Sequence, residues 1–256
     1  MYDKISKEIM VEKHFGCNIE DIAESVIVSP VWSLDGFISC SDAVLKQFEG
    51  WYDGVTLSYK GKRVTIVNSH IGAPMTGDCV LALQYSNCRN VIFSGSAGAI
   101  NPGLDIGDFL IPGEAVIGEG FSRYHRGELE KDCFGETVAG DGALSRKLLD
   151  TAKAYEQELD NKSVSGRIFS TDSILGETRE AFEYMTAKGC DAIEMEVSAV
   201  FTACRKAELK GSALIIISDL PLKYRSLFDG ITDNDKKKFQ HIRAAMPGIL
   251  LEAAIK

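Results

Sequence analysis

The run Ala213-Leu214-Ile215-Ile216-Ile217 contains no polar side chain. A strand that is apolar at every position, rather than at alternate ones, must be covered on both faces. Ser25-Val26-Ile27-Val28-Ser29-Pro30 and Asn90-Val91-Ile92-Phe93-Ser94 read in the same way. Segments of helical periodicity lie between and beyond them: residues 37–49, Pro74 to about Ser86, residues 143–158, 178–188 and 194–208, and a last helix from about Asp233 to Ile255. Pro74 suits the first turn of its helix. Residues 54–60 and 63–69 read as strands paired around Lys60-Gly61-Lys62, residues 107–118 as strand pieces and 164–171 as a further strand. The expected fold class is therefore α/β, with a central mixed, mostly parallel sheet flanked by helices on both faces. No repeat or linker interrupts the pattern, and 256 residues suit one domain spanning 1–256. Gly118 to Gly142, rich in charge and glycine, is the least regular stretch and reads as a mobile loop over a site.

The formal net charge of −9 argues against nucleic acid as a partner. No apolar run is long enough to span a membrane. Met1 to Phe15 is charged throughout and lacks a secretory core, so the cytoplasm is the expected compartment. Seven dispersed cysteines (Cys17, Cys40, Cys79, Cys88, Cys133, Cys190, Cys204) read as reduced thiols that pack as small hydrophobes. Together with four histidines they form no metal-type spacing, so neither a metal nor a redox cofactor is expected.

In open α/β folds, side chains at strand-to-helix junctions face the crevice where ligands bind. Ala192-Ile193-Glu194-Met195-Glu196-Val197 has that form. A carboxylate at such a place can accept hydrogen bonds from two vicinal sugar hydroxyls, and a methionine offers a polarisable apolar floor. The pairing suggests a ribose site. Gly95-Ser96-Ala97-Gly98-Ala99 succeeds a buried strand, either as a turn whose amides hold an oxyanion or as a tight packing turn. Glu119-Gly120-Phe121-Ser122-Arg123-Tyr124-His125-Arg126 could recognise a sugar or a phosphate, or could be a solvated basic loop. Phe169 ends a strand, as core or as a stacking surface for a base. Glu177 and Arg179 stand near a helix start, where surface charges are ordinary. Ser218-Asp219 lies just past residues 213–217, where an acid either protonates a departing group or caps the next segment.

Taken together these segments resemble the nucleoside phosphorylase superfamily in its hexameric-type branch, which includes purine nucleoside phosphorylases, uridine phosphorylase, methylthioadenosine nucleosidase and AMP nucleosidase. The matching segments run in the family's order: His70-Ile71-Gly72-Ala73-Pro74, Gly95-Ser96-Ala97-Gly98, Gly118-Glu119-Gly120, Ser170-Thr171-Asp172, Glu194-Met195-Glu196 and Ser218-Asp219. The resemblance implies that Glu196 holds the ribose 2′ and 3′ hydroxyls, that Met195 floors the sugar, and that Glu194 belongs to the same ribose motif. It further implies that Asp219, beside Ser218, protonates the purine at N7, that Phe169 stacks on the base, and that Ser96 faces the nucleophile or the sugar. It implies a small nucleoside or nucleotide substrate, and a homo-oligomer (dimer or hexamer) whose neighbouring chains help complete the site.

Two departures bear on the nucleophile. Phosphorylases of this branch usually carry an arginine just before the Gly-Ser segment, where this chain has Phe93 and Ser94. They also carry a glycine and an arginine after the first strand, where it has Ser29-Pro30-Val31-Trp32-Ser33-Leu34. Phosphate needs charge-assisted donors. The expectation is therefore cleavage of the N-glycosidic bond of a purine nucleoside or nucleoside monophosphate with water as nucleophile. The alternative is a purine or uridine phosphorylase with inorganic phosphate as co-substrate, and a different class is an inactive nucleoside-binding protein. Candidates for holding phosphate or a 5′ group are Gly95, Ser96, Arg123, His125, Arg126 and Arg179.

Overall fold

The computed structural model describes residues 4–127, 129–226 and 228–256. In chain order the elements are α1 (Lys7–Phe15), β1 (Ser25–Ser29), α2 (Leu34–Cys40), β2 (Ala43–Phe48), β3 (Gly54–Tyr59), β4 (Lys62–Asn68), α3 (Ala73–Leu83), β5 (Asn90–Ala99), β6 (Phe109–Gly118), β7 (Thr137–Ala139), α4 (Gly142–Lys153), α5 (Glu156–Leu159), β8 (Ser163–Thr171), α6 (Arg179–Ala187), β9 (Ala192–Glu194), α7 (Val197–Lys206), β10 (Lys210–Asp219) and α8 (Asp233–Ile255). All ten strands belong to one mixed sheet. Its middle is the parallel set β4, β1, β5 and β10. Antiparallel β3 and β2 extend it past β4. On the other side β10 pairs with β6, β6 with β8, β8 with β9, and β9 with β5, which closes a ring of five strands.

The unbroken apolar runs do what their pattern requires. Successive residues of a strand point to opposite faces. Val26, Val28, Val91, Phe93, Ala213, Ile215 and Ile217 enter one core with residues of α3 and α7. Ile27, Ile92, Leu214 and Ile216 enter the other, against Phe37, Leu144, Ile249 and Leu250 of α2, α4 and α8.

Three expectations need correction. Residues 37–49 are not one helix: α2 ends at Cys40, and residues 43–48 form β2, paired with β3 at the sheet margin. Residues 95–99 are not a turn. They continue β5, which pairs with β10 from Gly95↔Ile215 and with β9 at Gly98↔Ile193. None of these glycines has a positive φ, so no amide nest forms there. The stretch 118–142, in which Glu128 lies outside the described residues, is anchored rather than open. The buried Glu119 carboxylate accepts from the Ser122 amide (3.0 Å), the Ser122 hydroxyl and the Ser198 hydroxyl (2.8 Å), tying the end of β6 to α7, and β7 pairs with β6.

Candidate active site

The ends of β5, β9 and β10 meet in a cleft of about 170 Å³. Register sets its geometry. Gly98 of β5 is paired with Ile193 of β9 on one side and Asp219 of β10 on the other. Two strand spacings therefore separate the β9 wall from the β10 wall, about 10 Å between backbones. Glu194, Met195 and Glu196 line one wall, Ser218 and Asp219 the other, with Gly95, Ser96 and Gly98 between them. A Cβ on Gly98 would lie 3.3 Å from Pro221, a tight approach, and in ordinary contact with Asp219 Oδ1 at 3.5 Å. Pro30, Val31, Ile71, Ile174 and Ile193 add apolar surface.

Each carboxylate has a distinct setting. The Glu194 side chain is buried beneath the start of α7. It accepts from the amides of Glu196 (2.6 Å) and Val197 (2.9 Å) and from the Ser170 hydroxyl, while Ser170 Oγ accepts from the Ser198 amide (2.8 Å). Three donors thus hold a group that the ribose motif places at the ligand, and its visible work is to cap α7. Glu196 Oε1 accepts from the Gly72 amide (2.7 Å). Gly72 has φ +107°, a conformation that L side chains rarely adopt, so a glycine is required for that amide to face the carboxylate. Burial pushes the pKa of both glutamates up, and the Glu196 charge pushes Glu194 further. Ser218 donates to Asp219 Oδ1 (2.7 Å). Glu177, on the loop before α6, joins this acid at the same cleft. Burial, and then the Asp219 charge, push its carboxyl up to about 7. The sequence reading takes Glu177 for a surface charge; the cleft position is a finding of the structure.

Other expected site residues lie elsewhere. Phe169 is buried with Phe182, Met185 and Ile193, its ring edge-on to Tyr184 (6.3 Å between centroids), and does not line the cleft. Arg123 and His125 line a separate concavity of about 470 Å³ with Asp78 and Tyr124. Arg126 pairs with Glu136 (3.0 Å), and Arg179 with Glu183 one helical turn away (3.0 Å). Among the described residues, no lysine, arginine or histidine lines the cleft. Where the resemblance expects phosphate-binding arginines there is an internal hydrogen bond, from Trp32 Nε1 to the buried Ser94 hydroxyl (2.8 Å), and Phe93 is wholly enclosed.

At its strand ends this α/β sheet gathers the Glu196 carboxylate on one wall and the Asp219–Glu177 acid pair across the cleft. A family model described as "Phosphorylase superfamily" matches residues 50–256. The DeoD-type purine nucleoside phosphorylase of Exiguobacterium sibiricum is 30% identical over 213 residues, covering 80% of this chain and 86% of that protein. A uridine phosphorylase from Vibrio fischeri superposes with a TM-score of 0.78 at 22% identity, covering 98% of each chain. The Toxoplasma gondii purine nucleoside phosphorylase in complex with immucillin-H superposes with a TM-score of 0.77 at 22% identity, covering 93% of this chain and 92% of that one. This chain belongs to the phosphorylase superfamily.

Proposed function

We propose that this protein cleaves the N-glycosidic bond of a purine nucleoside and transfers the ribosyl group to inorganic phosphate. The observation that carries the bond-cleaving part is the opposition of Glu196 and Asp219 across one narrow cleft. Breaking the bond leaves an oxocarbenium-like sugar and an electron-rich base. Glu196 accepts from the 2′ and 3′ hydroxyls and sets its negative charge under the developing cation, while Met195 floors the ring. Asp219 delivers a proton to N7 of the departing purine, oriented by the Ser218 hydroxyl. Glu177, its carboxyl pushed up to about 7 by burial and the Asp219 charge, passes its proton to the Asp219 carboxylate once N7 is protonated, and regains one from solvent.

Phosphate as the acceptor rests on the phosphorylase relatives, which favour that alternative over the hydrolysis expected from sequence. Its cations then come from a second copy of the chain, docked over the exposed Ile71 at the cleft rim. Hydrolysis stays as the second reading because the described cleft residues include four carboxylates and no cation. Inosine and adenosine cleavage, monitored as release of free base with and without added phosphate, tests both. Base release that requires phosphate and yields ribose 1-phosphate supports the proposal. Equal rates in phosphate-free buffer, with free ribose as product, overturn phosphate as the acceptor. No release from any purine nucleoside overturns the bond-cleaving reading.

A further inference from the structure

A second concavity, of about 750 Å³, lies at the opposite end of the sheet from the cleft. It opens where β4, β1, β5 and β10 begin. Lys210 is level with Asn90, Asn90 is level with Ser25, and β4 starts beside them. Asn90 and Gly98 are eight residues apart along β5, so about 26 Å separates this concavity from the cleft. Ligands of α/β sheets ordinarily sit at the other end, and nothing in the proposed cleavage uses this one.

Its charge is what stands out. The chain carries a net −9, yet six cations line this concavity, Lys62, Arg63, Arg89, Lys147, Lys210 and Lys256, against the carboxylates of Glu24 and Asp141. The Asp141 carboxylate is occupied in capping α4, where it accepts from the amides of Ala143 (3.1 Å) and Leu144 (2.8 Å). Arg126, Arg167 and Arg225 elsewhere in the fold each pair with a carboxylate. None of these six does so among the described residues. Arg63 donates to the carbonyls of Glu20 and Asp21, Arg89 to that of Cys88, Lys62 to that of Ile255, and Lys256 to the Thr151 hydroxyl. The ammonium groups of Lys147 and Lys210 have no hydrogen-bond or ion-pair partner among the described residues.

Like charges gathered on one wall repel one another, and a bound anion relieves that repulsion. The shape selects the kind of anion. From β4 to β10 there are three strand spacings, about 14 Å. A single orthophosphate, which takes charge-assisted hydrogen bonds at about 3 Å, reaches one part of that width only. An extended chain of phosphates spans it, and the volume lies in the range of small-ligand sites. We propose that this concavity binds an oligophosphate chain, either free or as the tail of a nucleotide.

Calorimetric titration of the full chain with tripolyphosphate, ATP and orthophosphate, in phosphate-free buffer at about 100 mM salt, tests the assignment. Tripolyphosphate is expected to bind at least tenfold more tightly than orthophosphate, with affinity falling as salt rises. The double variant Lys147→Gln, Lys210→Gln is expected to weaken that binding at least tenfold. Both residues are exposed, so its melting temperature and its nucleoside cleavage rate should match the parent. ATP binding as tight as tripolyphosphate identifies a nucleotide tail as the source, and ATP binding tenfold weaker identifies the free chain. Tripolyphosphate binding no tighter than orthophosphate, or binding unchanged in the double variant, overturns the proposal.

Discussion

Glu194 and Glu196 are two residues apart and differ in what their side chains do, and that difference is measurable. Glu194→Ala strands three donors at once: the amides of Glu196 and Val197 and the Ser170 hydroxyl. Each buried donor left without an acceptor costs about 1–3 kcal/mol, so the gross loss is roughly 3–9 kcal/mol. Removing a buried carboxylate that Glu196 repels offsets part of it. The net loss is then about 2–5 kcal/mol, and in a chain of this size each kcal/mol lowers Tm by about 2–4 °C. Calorimetry should therefore show a fall of about 5–20 °C. Glu196→Ala strands one donor, the Gly72 amide, while relieving the burial of its own charge. Its Tm should stay within about 3 °C of the parent. Its cleavage rate should fall roughly 10²–10⁴-fold, because two charge-assisted bonds to the sugar diol are worth about 1.5–3 kcal/mol each. A Glu194→Ala protein that melts with the parent would refute the capping assignment. A Glu196→Ala protein with parental turnover would remove this carboxylate from the ribose site.

Three further outcomes are expected. Asp219→Asn keeps the shape of the acid and removes its proton, so base release should slow by about 10²–10⁴-fold, read from single-turnover kinetics; an unchanged rate takes Asp219 out of the mechanism. Glu177 titrates near 7 in the folded chain, above the ordinary value of 4.5. The folded state therefore holds the extra proton between those values, and stability falls as pH rises from about 4.5 to about 7, then levels. Glu177→Gln should abolish both that slope in denaturant titrations and the inflection near pH 7 in kcat/KM; an inflection that persists assigns it to another group. Burial pushes Cys17 and Cys88 up to about 12, Cys190 up to about 11, and Cys79 and Cys204 well above the ordinary thiol value, whereas Cys40 is exposed. A thiol reagent should therefore show one fast equivalent that Cys40→Ser removes, the others reacting only on unfolding; a fast phase that survives the substitution would show a second accessible thiol.

The sheet was readable because two-sided burial writes itself as unbroken apolar runs, and Ile215, Ile216 and Ile217 have no other physical use. The failure at residues 37–49 has an equally local cause. Val44, Leu45 and Phe48 repeat at spacings that suit a helix begun at Phe37. In the fold, however, Val44 and Leu45 are 44% and 50% exposed on a margin strand, so their apolar character marks no core-facing stripe. Gly95 to Ala99 misled in the opposite direction. Small residues suggest a turn, yet here they continue a strand that is paired on both edges, with β10 and with β9. For the site, the Glu-Met-Glu and Ser-Asp segments were legible because acids at the ends of apolar strands have few structural uses. The arginines were not. A guanidinium reaches several ångströms from its backbone, and sequence position says nothing about whether Glu136 or Glu183 will claim it first.

The electrostatics of the cleft bear on which acceptor it tolerates. Glu177, Glu194, Glu196 and Asp219 line one small volume, and two of them, Glu177 and Glu194, are pushed toward neutrality by burial and then by the charge of a neighbour. Two like charges about 5 Å apart repel by about 3 kcal/mol at an effective dielectric of about 20. A phosphate entering beside one ionised carboxylate meets at least that penalty, whereas water meets none. The developing sugar cation is attracted with the same strength, so the carboxylates lower the barrier to bond breaking whichever nucleophile attacks. On the proposed reading, bond cleavage is the part of the reaction that these carboxylates supply. On the proposed phosphorolysis, guanidinium or ammonium groups of a second copy reach the open rim near Ile71, and on that contribution phosphorolysis and hydrolysis part.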